Sequence, residues 1–280
     1  MKIVNTTCVF PFNYDIFEAL KRLKKAGFNT IDIAVDYCVQ NGAPFVSRCW
    51  KSWTKKIKEY AASENIELYQ CHGVGVPEEF YSDPNDLAYR AVEFAGMLGI
   101  KWVVMHPQEL KGKQTQEYDG EFAAKNIKWF GPIIDRAIKC GTGIAIENLP
   151  WPNCNRISAL IPIVDGLKAE HPGARVGICW DTGHANINGT RPAEIKALGD
   201  RLVTLHVQDN HGWPSDEHLI PYYGTYDWEE FIHTLREMDY KGEFVLEAHH
   251  QMLEAADEPE KQEKLLREML DVSNKILQLP

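Results

Sequence analysis

Histidine and acidic side chains recur at the ends of short apolar runs along this chain. Cys71-His72 closes one run and Met105-His106-Pro107 the next. Glu147-Asn148 closes a third and Trp180-Asp181 a fourth, with His184 just beyond; His206 and Glu247 end two more. Neutral imidazoles mixed with carboxylates suit a divalent ion such as Mn²⁺, Co²⁺, Zn²⁺ or Mg²⁺, whereas a thiolate set is missing. Carboxylates gathered without a cation would repel one another and drive some pKa values up; a bound ion relieves that and supplies Lewis-acid chemistry. A single strand-end histidine is more often a hydrogen-bonded loop anchor than a ligand. The weight lies in six consecutive runs ending this way.

Those residues need a scaffold that brings strand ends together. Eight runs read as strands: Ile3–Cys8, Thr30–Val35, Glu67–His72, Trp102–His106, Gly143–Asn148, Arg175–Asp181, Leu202–Val207 and Glu243–Ala248. Near-continuous apolar stretches such as WVVM fit parallel strands covered on both faces. Between them, 3.6-residue periodicity predicts helices over Asp15–Ala26, Trp53–Asn65, Asn85–Leu98, Glu121–Cys140, Ile157–Glu170, Ala193–Leu198, Trp228–Met238 and Pro259–Leu277. Asp15 is a natural N-cap, and Gly27, Gly99, Gly141 and Gly242 fall between a helix and the next strand. Eight βα units without a linker predict one α/β domain over residues 1–280, a (β/α)₈ TIM barrel, with its site at the C-terminal ends of the strands. An open doubly wound sheet is the alternative, but no GxGxxG turn follows the first strand.

The totals agree. The 280 residues are 44% hydrophobic and 25% charged, enough for a large core. No apolar run approaches a bilayer span and the first residues lack signal-peptide character, so a cytoplasmic chain without membrane attachment is expected. Seven scattered cysteines with no CxxC pair indicate neither a disulfide framework nor a thiolate zinc site, and Cys71 and Cys179 sit in apolar runs. A net charge of −10 argues against nucleic acid as a partner.

The segments IENLP (Ile146–Pro150), CWDTGHAN (Cys179–Asn186), LHVQDN (Leu205–Asn210), DEHLIPYYGTYDW (Asp216–Trp228) and VLEAHH (Val245–His250), in this order, resemble the xylose isomerase-like TIM barrel superfamily. It contains sugar phosphate isomerases and epimerases, with endonuclease IV as a relative. The resemblance implies a metal site at Glu147, Asp181, His206 and Glu247. In similar ketose epimerases the two glutamates also act as acid and base on opposite faces of the sugar, and His184 looks like the histidine that holds a substrate oxygen. An arginine those epimerases carry after the His206 strand is not evident; the DEH segment stands instead. Endonuclease IV holds three zinc ions with nine ligands, and nine positions here match: His72, His106, Glu147, Asp181, His184, His206, Asp216, His218 and Glu247. The loops YCVQNGAPFVSRCW and GVGVPEEFYSDP, however, are aromatic and acidic where DNA phosphates call for Lys and Arg.

The expectation is a divalent-metal-dependent isomerase or epimerase of a small-molecule sugar or polyol, working by proton transfer through a metal-stabilised enediolate with Glu147 and Glu247 as acid and base. The alternatives are an endonuclease IV-like phosphodiesterase at abasic DNA, a metal-dependent sugar dehydratase or lyase, and a silent barrel that senses a sugar. A homo-oligomer is common among proteins it resembles. Trp151 and Trp180 flank expected ligands and are candidates for the substrate pocket. Trp102, Trp129 and Phe130 read as packing residues, and Trp213, Tyr222 and Tyr223 as either a cover or plain surface. His211, His249 and His250 lie near the rim without a ligand position, His171 and His233 read as solvated, and Glu78–Glu79 and Glu229–Glu230 as solvated acid pairs. The polar stretch Lys111–Phe122 is either a closing loop or a connection.

Overall fold

A computed structural model of the protein describes residues 1–40, 42–74, 84–113 and 115–280. The pair Glu78–Glu79 and most of the loop beyond His72 lie outside the described residues. Eight strands alternate with helices: β1 Ile3–Thr6, β2 Thr30–Ala34, β3 Glu67–His72, β4 Trp102–Met105, β5 Gly143–Glu147, β6 Val176–Asp181, β7 Leu202–His206 and β8 Phe244–Val245. All pair in parallel in the order β7-β6-β5-β4-β3-β2-β1-β8. The ring closes through a bridge between Val207 and Leu246, where the Val207 amide donates to Val245 O at 2.7 Å and the Glu247 amide to Val207 O at 2.9 Å. The fold is a TIM barrel, as its alternation predicts.

The helices are α1 Ile16–Ala26, α2 Trp50–Ser63, α3 Pro84–Leu98, α4 Asp119–Cys140, α5 Ile157–Glu170, α6 Thr182–Ile187, α7 Trp228–Glu237, α8 His250–Glu254 and α9 Pro259–Leu277. Asp15 caps α1, its carboxylate accepting from the Glu18 amide, and Gly27 ends the helix at φ 111°, a conformation that favours glycine. Two short helices were not foreseen: α6, which starts directly at the end of β6, and α8 after β8. The segment expected as a helix over Ala193–Leu198 is instead a 3₁₀ stretch, Pro192–Arg201, kinked at Gly199. Its buried Ile195 and Leu198 are three residues apart, which matches three residues per turn better than 3.6. Among the described residues no helix is long and apolar enough to cross a membrane.

Two cores position the site. The larger lies between the strands and the helical shell and includes Phe94, Phe130, Ile146, Ile178 and Trp180. The smaller fills the barrel itself with Val4, Tyr69, Trp102, Val104, Ala145, Cys179 and Val245. Strand side chains alternate between faces. Two residues beyond Val104, Ala145, Cys179 and Val245, the inward positions are therefore His106, Glu147, Asp181 and Glu247. The apolar plug thus gives way to polar side chains at the C-terminal rim.

Candidate metal centre

The nine expected residues are brought together. Their ligand atoms form three groups that share members and a fourth that stands apart, each with every atom within 4.8 Å of the others: His72, His206 and Glu247; His72, His106 and Glu147; Glu147, Asp181, His206 and Glu247; and, separately, His184, Asp216 and His218. His206 Nδ1 lies 2.9 Å from Glu147 Oε1 and 3.1 Å from Glu247 Oε2. Glu147 Oε2 lies 3.2 Å from His106 Nε2 and 3.5 Å from His72 Nε2. Beside this cluster, Asp216 Oδ2 sits 3.2 Å from His184 Nε2 and 3.5 Å from His218 Nε2.

Local structure explains how residues so far apart in sequence aim at one place. Asp181 ends β6 and caps α6, its Oδ1 accepting from the His184 amide at 2.6 Å, so one turn of helix returns His184 to the rim. Three imidazoles are oriented by the main chain: Nδ1 of His72, His184 and His218 faces Gly73 O, Asn148 O and Glu247 O at 2.9, 2.8 and 2.9 Å. With a proton on each Nδ1, the Nε2 lone pairs are left for a cation. Within the cluster, two buried carboxylate oxygens, Glu147 Oε2 and Asp181 Oδ2, accept no hydrogen bond among the described residues. Such unpaired acceptors are costly in a protein interior, and a divalent cation fits them.

The electrostatics point the same way. Burial would raise the Glu147 carboxyl, but His206, which bonds its other oxygen, Oε1, and the nearby imidazoles of His106 and His72 hold it well below the ordinary carboxylate value. Burial also opposes Glu247, which His206 nonetheless brings down to about 2. Asp181 is pushed up to about 7 by burial, relieved by His184 but reinforced by Glu147 and Glu247. Burial favours the neutral imidazoles of His72 and His184, yet Asp36 and the glutamates carry His72 up to about 10, and Asp181 and Asp216 do the same for His184. Protons here balance carboxylates, and a bound cation would take their place.

The family model for xylose isomerase-like TIM barrels matches residues 20–275. The chain belongs to this family. The D-psicose 3-epimerase of Enterocloster bolteae is 26% identical to this xylose isomerase-like TIM barrel over 205 residues, 69% of this chain and 65% of that protein. Its matches span about half to two thirds of the length of the curated relatives. A crystal structure of D-psicose 3-epimerase with D-tagatose from Clostridium cellulolyticum H10 superposes with a TM-score of 0.75 at 17% identity, covering 99% of each chain. The IOLI protein with a bound zinc atom superposes at 0.72 and 19% identity, over 99% of this chain and 96% of that one.

Other expectations shift. Trp180 is completely buried in the larger core, away from the substrate pocket expected of it. Adjacent strand residues face opposite ways, so with Asp181 inward Trp180 must point to the helices. Trp151 is 54% exposed in the loop beyond β5 and Trp213 76% exposed beyond β7. Trp102 and Phe130 are buried as expected, and Trp129 packs against the larger core. His171 is not simply solvated: its Nδ1 pairs with Asp135 at 2.9 Å. His249 stacks on His218, ring centroids 4.3 Å apart, while His211 pairs with Glu217 at the surface.

Sequence patterns had not singled out Asp32, Gln70 or Asp209. Asp32 lies inside the barrel, accepting from Thr6 Oγ1 at 2.7 Å, and Gln70 bridges Thr204 Oγ1 and His206 Nε2, the latter at 2.9 Å. The signal was there in TIDIA, an acid inside a strand buried on both faces. Asp209 is the hub of the loop that carries Asp216 and His218. Its buried carboxylate accepts from the amides of Asn210, Tyr222 and Tyr226 and from Trp228 Nε1, at 2.9–3.1 Å. Asp209→Ala would leave four donors without their acceptor, a loss of about 3–5 kcal/mol. A thermal melt should show a midpoint lower by roughly 10 °C.

Proposed function

We propose that this chain is a divalent-metal-dependent isomerase or epimerase of a sugar or polyol. The observation that carries the reading is the convergence of two carboxylates, Glu147 from β5 and Glu247 beyond β8, on one ring nitrogen of His206, Nδ1, at 2.9 and 3.1 Å. Glu147, Asp181, His206 and Glu247 would hold the ion. When bound, it supplies Lewis acidity to a substrate carbonyl and neighbouring hydroxyl. One glutamate takes the proton from the carbon next to the carbonyl, and the C–H electron pair moves into the carbonyl to give an enediolate. The other glutamate returns a proton, to the opposite face for epimerisation or to the adjacent carbon for isomerisation, in which case the hydroxyl proton passes to the former carbonyl oxygen. His184 would hold a substrate oxygen, and exposed Trp151 would offer a ring against which a sugar packs. The resemblance to a protein named D-psicose 3-epimerase supports a ketose as the first substrate to try.

A panel of ketoses incubated with Mn²⁺- or Co²⁺-loaded protein in D₂O tests the reading. Proton NMR should show loss of one C–H signal as an epimer or isomer appears. A loaded protein that exchanges no C–H proton in any sugar overturns it.

The groups His72–His106–Glu147 and His184–Asp216–His218 favour a second reading, a three-ion phosphodiesterase acting at abasic DNA. Strand scission of an abasic duplex by protein carrying about three zinc ions, without sugar turnover, would establish that reading instead. A dehydratase or lyase shares the proton-abstraction step and would appear in the NMR assay as a different product.

A further inference from the structure

Gln208 lies two residues beyond His206, is fully buried, and belongs to none of the ligand groups. Its main chain is clamped to the start of α6: the Gln208 amide donates to Thr182 Oγ1 at 3.0 Å, and that hydroxyl donates to Gln208 O at 2.6 Å. The side-chain amide lies against Gly183, where a Cβ would come within 2.1 Å of Gln208 Cδ and 2.3 Å of Nε2. Only glycine leaves room for the amide in this position.

Two carboxylates meet that amide. Gln208 Nε2 donates to Asp181 Oδ1 at 3.2 Å and to Asp216 Oδ1 at 3.0 Å, using both of its hydrogens. The nitrogen must occupy this place, because the amide oxygen there would face two carboxylate oxygens. Asp181 Oδ1 already accepts from the His184 amide, so its Oδ2 is the oxygen with open lone pairs, in a residue grouped with Glu147, His206 and Glu247. Asp216 Oδ1 is occupied in the same way, which leaves Oδ2 facing His184 Nε2 and His218 Nε2.

We propose that Gln208 is a positioning residue that apportions the Asp181 and Asp216 carboxylates between two neighbouring cation sites, and so sets whether the His184–Asp216–His218 group binds an ion of its own. The inference rests on the metal reading above. Its geometric content is that one neutral donor holds two anions apart in orientation, each aimed at its own set of ligands.

The test is divalent-ion binding by calorimetry and by equilibrium dialysis with elemental analysis, using Zn²⁺ or Mn²⁺ alone, on the full chain. Gln208→Met keeps the volume and removes the donors; Gly183→Ala keeps the glutamine and displaces it. In the parent protein two classes of ion should appear. Each variant should weaken the second class by about ten- to a hundredfold and the first by less than about threefold, with the melting midpoint of the chelated protein little changed. Unchanged affinities in both variants, or an equal loss in both classes accompanied by a fall in the chelated midpoint, would show a space-filling role and overturn the proposal. A parent protein with a single class of one ion also overturns it while leaving the metal reading intact; a parent protein that binds no divalent ion removes both.

Discussion

Glu147→Gln and Glu247→Gln should each lower turnover of the sugar substrate by at least roughly a thousandfold, within the range expected for loss of a proton-transferring group that is also a metal ligand. Glutamine keeps the shape of the side chain but can neither take up the proton nor bring charge to the ion. The two variants should also differ from each other. If the glutamates serve opposite faces, each variant retains one of them. In D₂O, each should then wash deuterium into the epimer whose proton faces the surviving carboxylate, without inverting it. Reciprocal behaviour, one variant exchanging one epimer and the second exchanging the other, is the expected NMR result. Glu147 sits among His72, His106 and His206, whereas Glu247 lies 3.1 Å from His206 and 3.9 Å from both His72 and His218, so the surviving activities need not be equal. Near-parental turnover in either variant would remove that glutamate from the chemistry.

Much of this arrangement was legible in the residues themselves. The strand-end histidines and acids could be read because a parallel strand buried on both faces is almost wholly apolar until its rim, so a polar residue at its end stands out. Asp181 and His184 were each legible as candidate ligands, but the short helix α6 that Asp181 caps, and that returns His184 to the rim, was not. Trp180 went astray for a reason the same alternation contains: a neighbour of an inward ligand points outward. Gln70, Gln208 and Asp32 were harder. Amides and a lone acid carry no metal-ligand signature, and their importance comes from what another strand sets against them: β7 across the barrel for Gln70, and the neighbouring strands β6 for Gln208 and β1 for Asp32. The short strand β8 and the 3₁₀ segment Pro192–Arg201 depend on how the chain leaves the sheet, which local periodicity does not encode.

Removing divalent ions with a chelator should abolish turnover, and Mn²⁺ or Co²⁺ should restore it. The effect on stability has a size as well as a sign. An ion present at a thousand times its dissociation constant stabilises the folded chain by about 4 kcal/mol, so the chelated protein should melt lower. The dependence on pH follows from the protons the ion must displace. Without a cation, Asp36 and the glutamates raise His72 to about 10, Asp181 and Asp216 raise His184 to about 10, and Asp216 and Glu247 raise His218 to about 9, each against the opposing pull of burial; Asp181 is pushed up to about 7, chiefly by burial. At neutral pH these imidazoles carry protons, and a cation that uses their Nε2 atoms must expel them. Affinity should therefore rise with pH, by about tenfold per unit for each proton displaced, until the pH passes the values for the ion-free groups. Calorimetry in buffers of different ionisation enthalpy counts those protons directly. An ion confined to Glu147, Asp181, His206 and Glu247 should release fewer protons than a set that also occupies His184–Asp216–His218, so proton release and ion count must rise together. Binding that is independent of pH between 6 and 9 would mean that the ion, wherever it sits, does not use these histidines.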